Sequence, residues 1–353
     1  MDEMNEMYGM GGTNGYYGMQ PDGKEEVAAA RRHFSKLGGM FIIGTIVIYA
    51  VQLIPMMLLS YLKPEWMANG NISLLVSVAP MYLIGMPVLI RLVKTIPPER
   101  VERHPMKAGQ FILAVIMCYA IVYISNIVGT VMTVIIGILK GGAVQNQVLA
   151  VTEAVSMWMI VLYMVICAPI MEEYVFRKLI VDRTVRYGQG VAVVVSGLMF
   201  GLFHGNLNQF IYAFVLGMFL AFLYVKTGNI KITIALHMLI NFVGGVVSSG
   251  LMRIIDLEGF QRAADQGMEA MMGFVQNNAA GIMAYFVFVI FVLGVMLAGG
   301  ILLIVCLAGR KFACDRGSVV IPKGQRFRTV ILNAGMIIYC IFWIAMIIWQ
   351  LFM

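Results

Sequence analysis

The chain has 353 residues, of which 61% are hydrophobic and only 12% are charged. A soluble domain carries about twice that share of charge, so the composition excludes one and places the chain in a bilayer. The net charge of +7 calls for no nucleic acid. It follows from basic residues flanking membrane spans, with membrane lipids, the anionic headgroups above all, as the partner it suits.

Residues 1–36 read as a cytoplasmic tail. Met, Gly, Tyr and Asn dominate up to Gly23, a composition expected to be disordered, and Lys24 to Lys36 forms a short charged helix leading into the first span. The tail lacks the basic start, apolar core and cleavage site of a signal peptide, so the first span is expected to be retained. Apolar stretches able to cross a hydrocarbon core of about 30 Å then follow. Three lie in an N-terminal membrane region, 37–150, near 37–62, 72–93 and 111–139. Four lie in a central region, 151–250, near 154–176, 190–206, 209–226 and 230–249, and two in a C-terminal region, 282–353, near 282–308 and 329–353. The predicted fold is all-α, a polytopic helical membrane protein with about eight or nine transmembrane helices. The fifth and sixth stretches are short and joined by Gly205-Asn206-Leu207-Asn208, which leaves a re-entrant pair as an alternative to two crossings. Residues 251–281 carry Arg253, Asp256, Glu258, Arg262, Asp265 and Glu269 and read as an amphipathic outer segment lying on the membrane surface.

Nine crossings starting from the inside put the N-terminal tail, 91–107, 177–186, 226–231 and 310–328 on one side. That side holds 21 of the 25 Lys and Arg residues; the other holds Lys63, Lys140, Arg253 and Arg262. The positive-inside rule makes the first side cytoplasmic, giving a multi-pass protein of the cell membrane with a cytoplasmic N-terminus. The cysteines, Cys118, Cys167, Cys306, Cys314 and Cys340, contain no C-x-x-C pair and are odd in number, so they set no disulfide or zinc-finger framework. Thirty methionines read as adaptable packing.

Ionisable side chains inside spans are costly and therefore point to function. Glu172 and Glu173 close one apolar run, and Arg177 stands four residues beyond Glu173 on the same helix face, where an ion pair can form. Glu172 is turned about 100° away and is left as the free carboxylate. Pro169 cannot donate to the carbonyl of Val165 and should kink the span beside the acid pair. Taken alone, the motif serves equally well as a snorkelling cluster at a helix end. Phe200 and His204 share a face of the fifth span, and His237 and Asn241 share a face of the seventh. A lone intramembrane His or Asn is more often a helix-to-helix hydrogen bond of about 1 kcal/mol. Register raises the odds: Glu172 lies 15 residues before Tyr187, and His204 lies 16 after Gly188. A hairpin turning there brings the two to nearly one height. A second turn at Thr227-Gly228-Asn229 brings His237 and Asn241 within about two helical turns of it.

In order, EExxxR (Glu172, Glu173, Arg177), FxxxH (Phe200, His204) and HxxxN (His237, Asn241) resemble the CPBP family of intramembrane proteases. This family includes the type II CAAX prenyl endopeptidases and bacterial relatives linked to bacteriocin processing or immunity. The resemblance covers roughly residues 151–250. It implies a four-helix catalytic core acting on a peptide or protein substrate. Glu172 and His204 would activate a water, His237 and Asn241 would stabilise the oxyanion, and the Glu173–Arg177 pair would hold the site together. The family is commonly labelled metalloprotease, and two His with a Glu suit zinc, but no H-E-x-x-H is present and no ligand is assigned. A transporter or proton relay also buries such groups, and an idle scaffold or immunity protein would keep the fold while losing a motif residue. The outer halves of the spans read as nearly all apolar, and Arg177, Lys178, Arg183 and Arg186 follow the acid pair directly. The sequence therefore predicts access from the cytoplasmic side.

Overall fold

The computed structural model describes residues 23–254 and 257–352. The start of the tail, Asp256 and the side chain of Glu258 lie outside them. The described residues form helices and no strands. Twelve helices carry the architecture: α1 Gly23–Leu62, α2 Gly70–Lys94, α3 Ala108–Lys140, α4 Gln147–Ala154, α5 Met157–Tyr187, α6 Gln189–Phe203, α7 Leu207–Thr227, α8 Ile230–Ile254, α9 Leu257–Gln266, α10 Met268–Asn277, α11 Ala279–Ala308 and α12 Ala334–Phe352. Eight of these are long and apolar enough to cross a membrane: α1, α2, α3, α5, α7, α8, α11 and α12. Lys24–Lys36 runs into the first span without a break, as expected, and 251–281 supplies the short helices α9 and α10 between α8 and α11.

The ninth expected span is α6, which has only 15 residues, about 22 Å of helix. It leaves the Tyr187–Gly188 turn, where Gly188 has φ +111°, and stops at His204. Asn206 then caps α7 by accepting from the amide of Gln209 at 2.9 Å. The α6–α7 hairpin thus falls between the two readings offered by the sequence: α7 is long enough to cross, and α6 is not.

Two sets of contacts define the ends of the bundle. At one end, His33 packs against Tyr187, the amide of His104 donates to Thr227 at 2.9 Å, and Lys226 pairs with Asp315 at 2.9 Å. This is the basic end. At the other, Lys140 donates to the carbonyl of Leu351 at 2.7 Å, and Ser156 donates through its amide and hydroxyl to Asn71 at 2.8 and 2.9 Å.

Glycines let α6 and α7 approach backbone to backbone, as small residues do between membrane helices. A Cβ on Gly201 would lie 2.8 Å from Phe214 Cβ and 3.0 Å from the carbonyl oxygen of Phe210. This contact sets the height of Phe200 and His204. Gly201→Val is therefore expected to destabilise the bundle by about 1–3 kcal/mol, read as a lower melting temperature in detergent; an unchanged melting temperature would show that the hairpin yields.

Candidate active site

Helix α5 is not regular through its middle. It is π-helical over Ile160–Cys167, α-helical over Ala168–Glu173 and π-helical again over Tyr174–Val181. Pro169 lacks the N–H that would close an α-turn on Val165, so the helix widens instead of breaking sharply. In the second wide segment Ser196 donates to the carbonyl of Phe176 at 2.7 Å. Helix α8 widens likewise over Phe242–Val247, immediately after Asn241. Such segments are frequent at functional sites.

The two glutamates have different surroundings. Glu173 is fully buried, and its Oε2 lies 3.0 Å from Nε of the equally buried Arg177. Its Oε1 accepts from Nδ1 of His237 at 2.9 Å. The Arg177 guanidinium lies 4.4 Å from the centre of the Phe200 ring, a cation–π contact. Its terminal nitrogens have no hydrogen-bond partner among the described residues. Glu172 is turned away from Arg177, is 23% exposed, and stands with Oε2 3.7 Å from Nε2 of His237, beyond direct hydrogen-bond reach.

The imidazoles are held by their Nδ1 atoms. His204 Nδ1 lies 2.8 Å from the carbonyl oxygen of Phe200, which can only accept, so Nδ1 carries the proton and Nε2 is left as the basic nitrogen. The Phe200 ring meets His204 and His237 edge-on, at 4.8 and 5.9 Å. Asn241 donates through Nδ2 to the carbonyl of Met164 at 2.8 Å, which fixes its amide against α5.

Glu172, His204, His237 and Asn241 line one cavity of about 1250 Å³. Glu173 and Arg177 are packed behind it. The wall also contains Gln52, Tyr82, Asn126, Tyr163, Gln209 and Tyr212, none of which the motifs pointed to. The signal was present in α3, where Tyr119, Tyr123 and Asn126 recur at helical spacing within an apolar span.

The direction of the cavity corrects the sequence reading. Its lining reaches Glu153, Ser249 and Arg253, at the end opposite the basic loops. Toward the basic end, Val175, Phe176, Leu179 and Ile180 are 0–3% exposed and close it. Leu236, the neighbour of His237 on the basic side, is likewise only 1% exposed. The outer half of α5 is apolar, but polar groups from α3, α4, α7 and α8 supply the route.

Among the described residues, no three of His, Cys, Asp or Glu form a group that could hold a metal ion. His204 and His237 each give Nδ1 to a fixed acceptor, which leaves both Nε2 atoms to the cavity, and Glu173 is shared between Arg177 and His237. No residue is assigned as a ligand to the zinc that the resemblance admits.

Fold and site together define a multi-pass helical membrane protein with Glu, His and Asn side chains around one cavity within the bundle. Residues 154–243 match the family described as Type II CAAX prenyl endopeptidase Rce1-like. The match covers the segment that carries all three motifs, and the family's description is that of an endopeptidase. The chain is 28% identical over 166 residues to YdiL of Bacillus subtilis (strain 168), whose name provisionally makes it a membrane peptidase; the match spans 45% of this chain and 66% of YdiL. It is 24% identical over 237 residues to the membrane-embedded CAAX protease MroQ of Staphylococcus aureus (strain USA300), spanning 63% of this chain and 92% of MroQ. No solved structure matches the chain significantly.

Proposed function

We propose that the protein is an intramembrane endopeptidase in which Glu172 acts as the general base. The observation that carries this reading is the division of labour between neighbouring carboxylates: Glu173 is paired with Arg177, while Glu172 lines the cavity paired with no Lys or Arg, its Oε2 3.7 Å from Nε2 of His237. Glu172 takes a proton from a water as that water's oxygen attacks the scissile carbonyl carbon. The C–N bond then breaks, and the same proton passes to the departing amine. His204, whose Nε2 is its free basic nitrogen, helps orient the water. With both ring protons in place, His237 donates to Glu173 through Nδ1 and offers Nε2–H to the oxyanion, alongside the second amide proton of Asn241. A positioned base contributes about 10²–10⁴-fold, and an oxyanion donor about 10²–10³-fold.

The excess of Lys and Arg at the basic end supports a cell-membrane protein with that end, and the N-terminus, in the cytoplasm. A transporter would need a route beyond Glu173 and Arg177, where the packing is closed. An idle scaffold would have lost a motif residue, and all seven are present. The class of activity is tested by incubating the purified protein with a tagged membrane proteome and mapping new chain ends; a set identical to that of a mock purification would rule it out. Cleavage is also expected to survive exhaustive treatment with a zinc chelator. Loss of activity that zinc alone restores would require the site to be redrawn around a metal.

A further inference from the structure

We infer that the cavity is filled from the non-cytoplasmic face of the membrane, so that the substrates are exported or surface-anchored polypeptide segments. The choice of substrates rests on the proposed peptidase activity; the direction of access does not.

Depth alone does not decide the side. Glu172 stands 15 residues from both Met157 and Tyr187, the two ends of α5, about 22 Å of helix each way. What decides it is where the space lies relative to the charge. Arg253 is the one Lys or Arg among the cavity's lining residues, so none of the 21 Lys and Arg residues assigned to the cytoplasmic side borders it.

Between the acid pair and the basic end lies a cross-linked plug. Arg183 donates through Nε to the carbonyl of Val93 at 2.9 Å and through a terminal nitrogen to that of Leu179 at 3.1 Å. Lys178 pairs with Asp182 at 2.7 Å, and Tyr224 donates to the same carboxylate at 2.8 Å. Opening a route there means breaking charge-assisted bonds of the buried Arg183 and Asp182, which are among the stronger ones in a protein.

The other end is built differently. Helix α4 lies along the rim and contributes Val148, Leu149, Thr152 and Glu153 to the lining, with Ser248 and Ser249 of α8 also at the rim. Arg253 fastens α8 to α4 through the carbonyls of Thr152 and Val155, at 2.7 and 2.6 Å. Asn208 reaches the carbonyl of Gln145 at 3.4 Å, tying the segment before α4 to α7. The rim mixes aliphatic side chains, hydroxyls and amides with single charges of each sign, and so suits an extended, largely uncharged peptide.

The test is thiol labelling with a membrane-impermeant maleimide, in chains from which Cys118, Cys167, Cys306 and Cys340 have been removed. Cys314, exposed in the loop after α11, is retained in one chain as the marker of the basic end and replaced in the others. Ser249→Cys probes the rim. Gly244→Cys probes the interior wall, where an added Cβ meets nothing within 4 Å. Both probes are expected to label in intact spheroplasts, and Cys314 only in inside-out vesicles. Labelling of Ser249→Cys and Gly244→Cys only in inside-out vesicles, or at neither face in chains that purify as folded protein, would overturn the inference. Because labelling needs no turnover, a negative result is distinct from failure of the peptidase reading, which is judged by cleavage.

Discussion

Glu172→Gln is expected to leave the helical bundle intact and to lower the rate of peptide cleavage by at least about a hundredfold. The substitution keeps the volume of the side chain, which is 23% exposed and pairs with no arginine, so folding loses little. The amide cannot accept a proton from water, so the base is removed from the step that makes the nucleophile. The measurement is cleavage of a mapped substrate by equal amounts of folded wild-type and variant protein in detergent or liposomes. If the two rates agree, Glu172 is not the base, and the reading of the acid pair fails at its centre.

The opposite pattern is expected of Glu173. Glu173→Gln leaves Arg177 charged, fully buried and without its partner, a situation that costs about 3–5 kcal/mol. The variant is therefore expected to melt at a clearly lower temperature or to fail to accumulate. Replacing both residues, as in Glu173→Leu with Arg177→Met, removes the stranded charge and is expected to recover much of the stability, since apolar substitutes for buried ion pairs are often neutral. It is not expected to recover cleavage. His237 would lose the acceptor of its Nδ1 proton, now 2.9 Å away, and with it the orientation of Nε2. A stable Glu173→Gln protein, or a fully active double variant, would show that the pair does not hold His237 in place.

The parts of the site legible in the sequence are those set by local geometry. Spacing of four along a helix fixed which residues share a face, and the 100° step separated Glu172 from Glu173. The glycine turns at 188 and 228, both with positive φ, fixed the heights of His204, His237 and Asn241. What stayed hidden depends on contacts between distant segments. That His237 bonds Glu173, 64 residues away, requires knowing how α8 rotates against α5. The direction of the cavity depends on polar side chains scattered over four helices, and a span-by-span reading sees each of these as an exception in an apolar run. The fifth span, read at 190–206, stops at Phe203 in α6, because the polar run His204 to Asn206 forms the turn into α7.

The closure behind Glu173 and Arg177 imposes an order of events on the proposed reaction. A chamber closed at that end and entered only from its rim would take in its water before, or together with, the peptide that occupies it. Both fragments must then leave by the way the substrate came, the one nearer the rim first. The inner fragment stays as a competitor until the outer one has gone. Turnover would then be paced by departure, with a first round of cutting faster than those that follow. Rapid-mixing experiments on a mapped substrate would resolve the two phases, and a single steady rate from the first turnover onward would show that the fragments find another way out, sideways between the helices into the lipid.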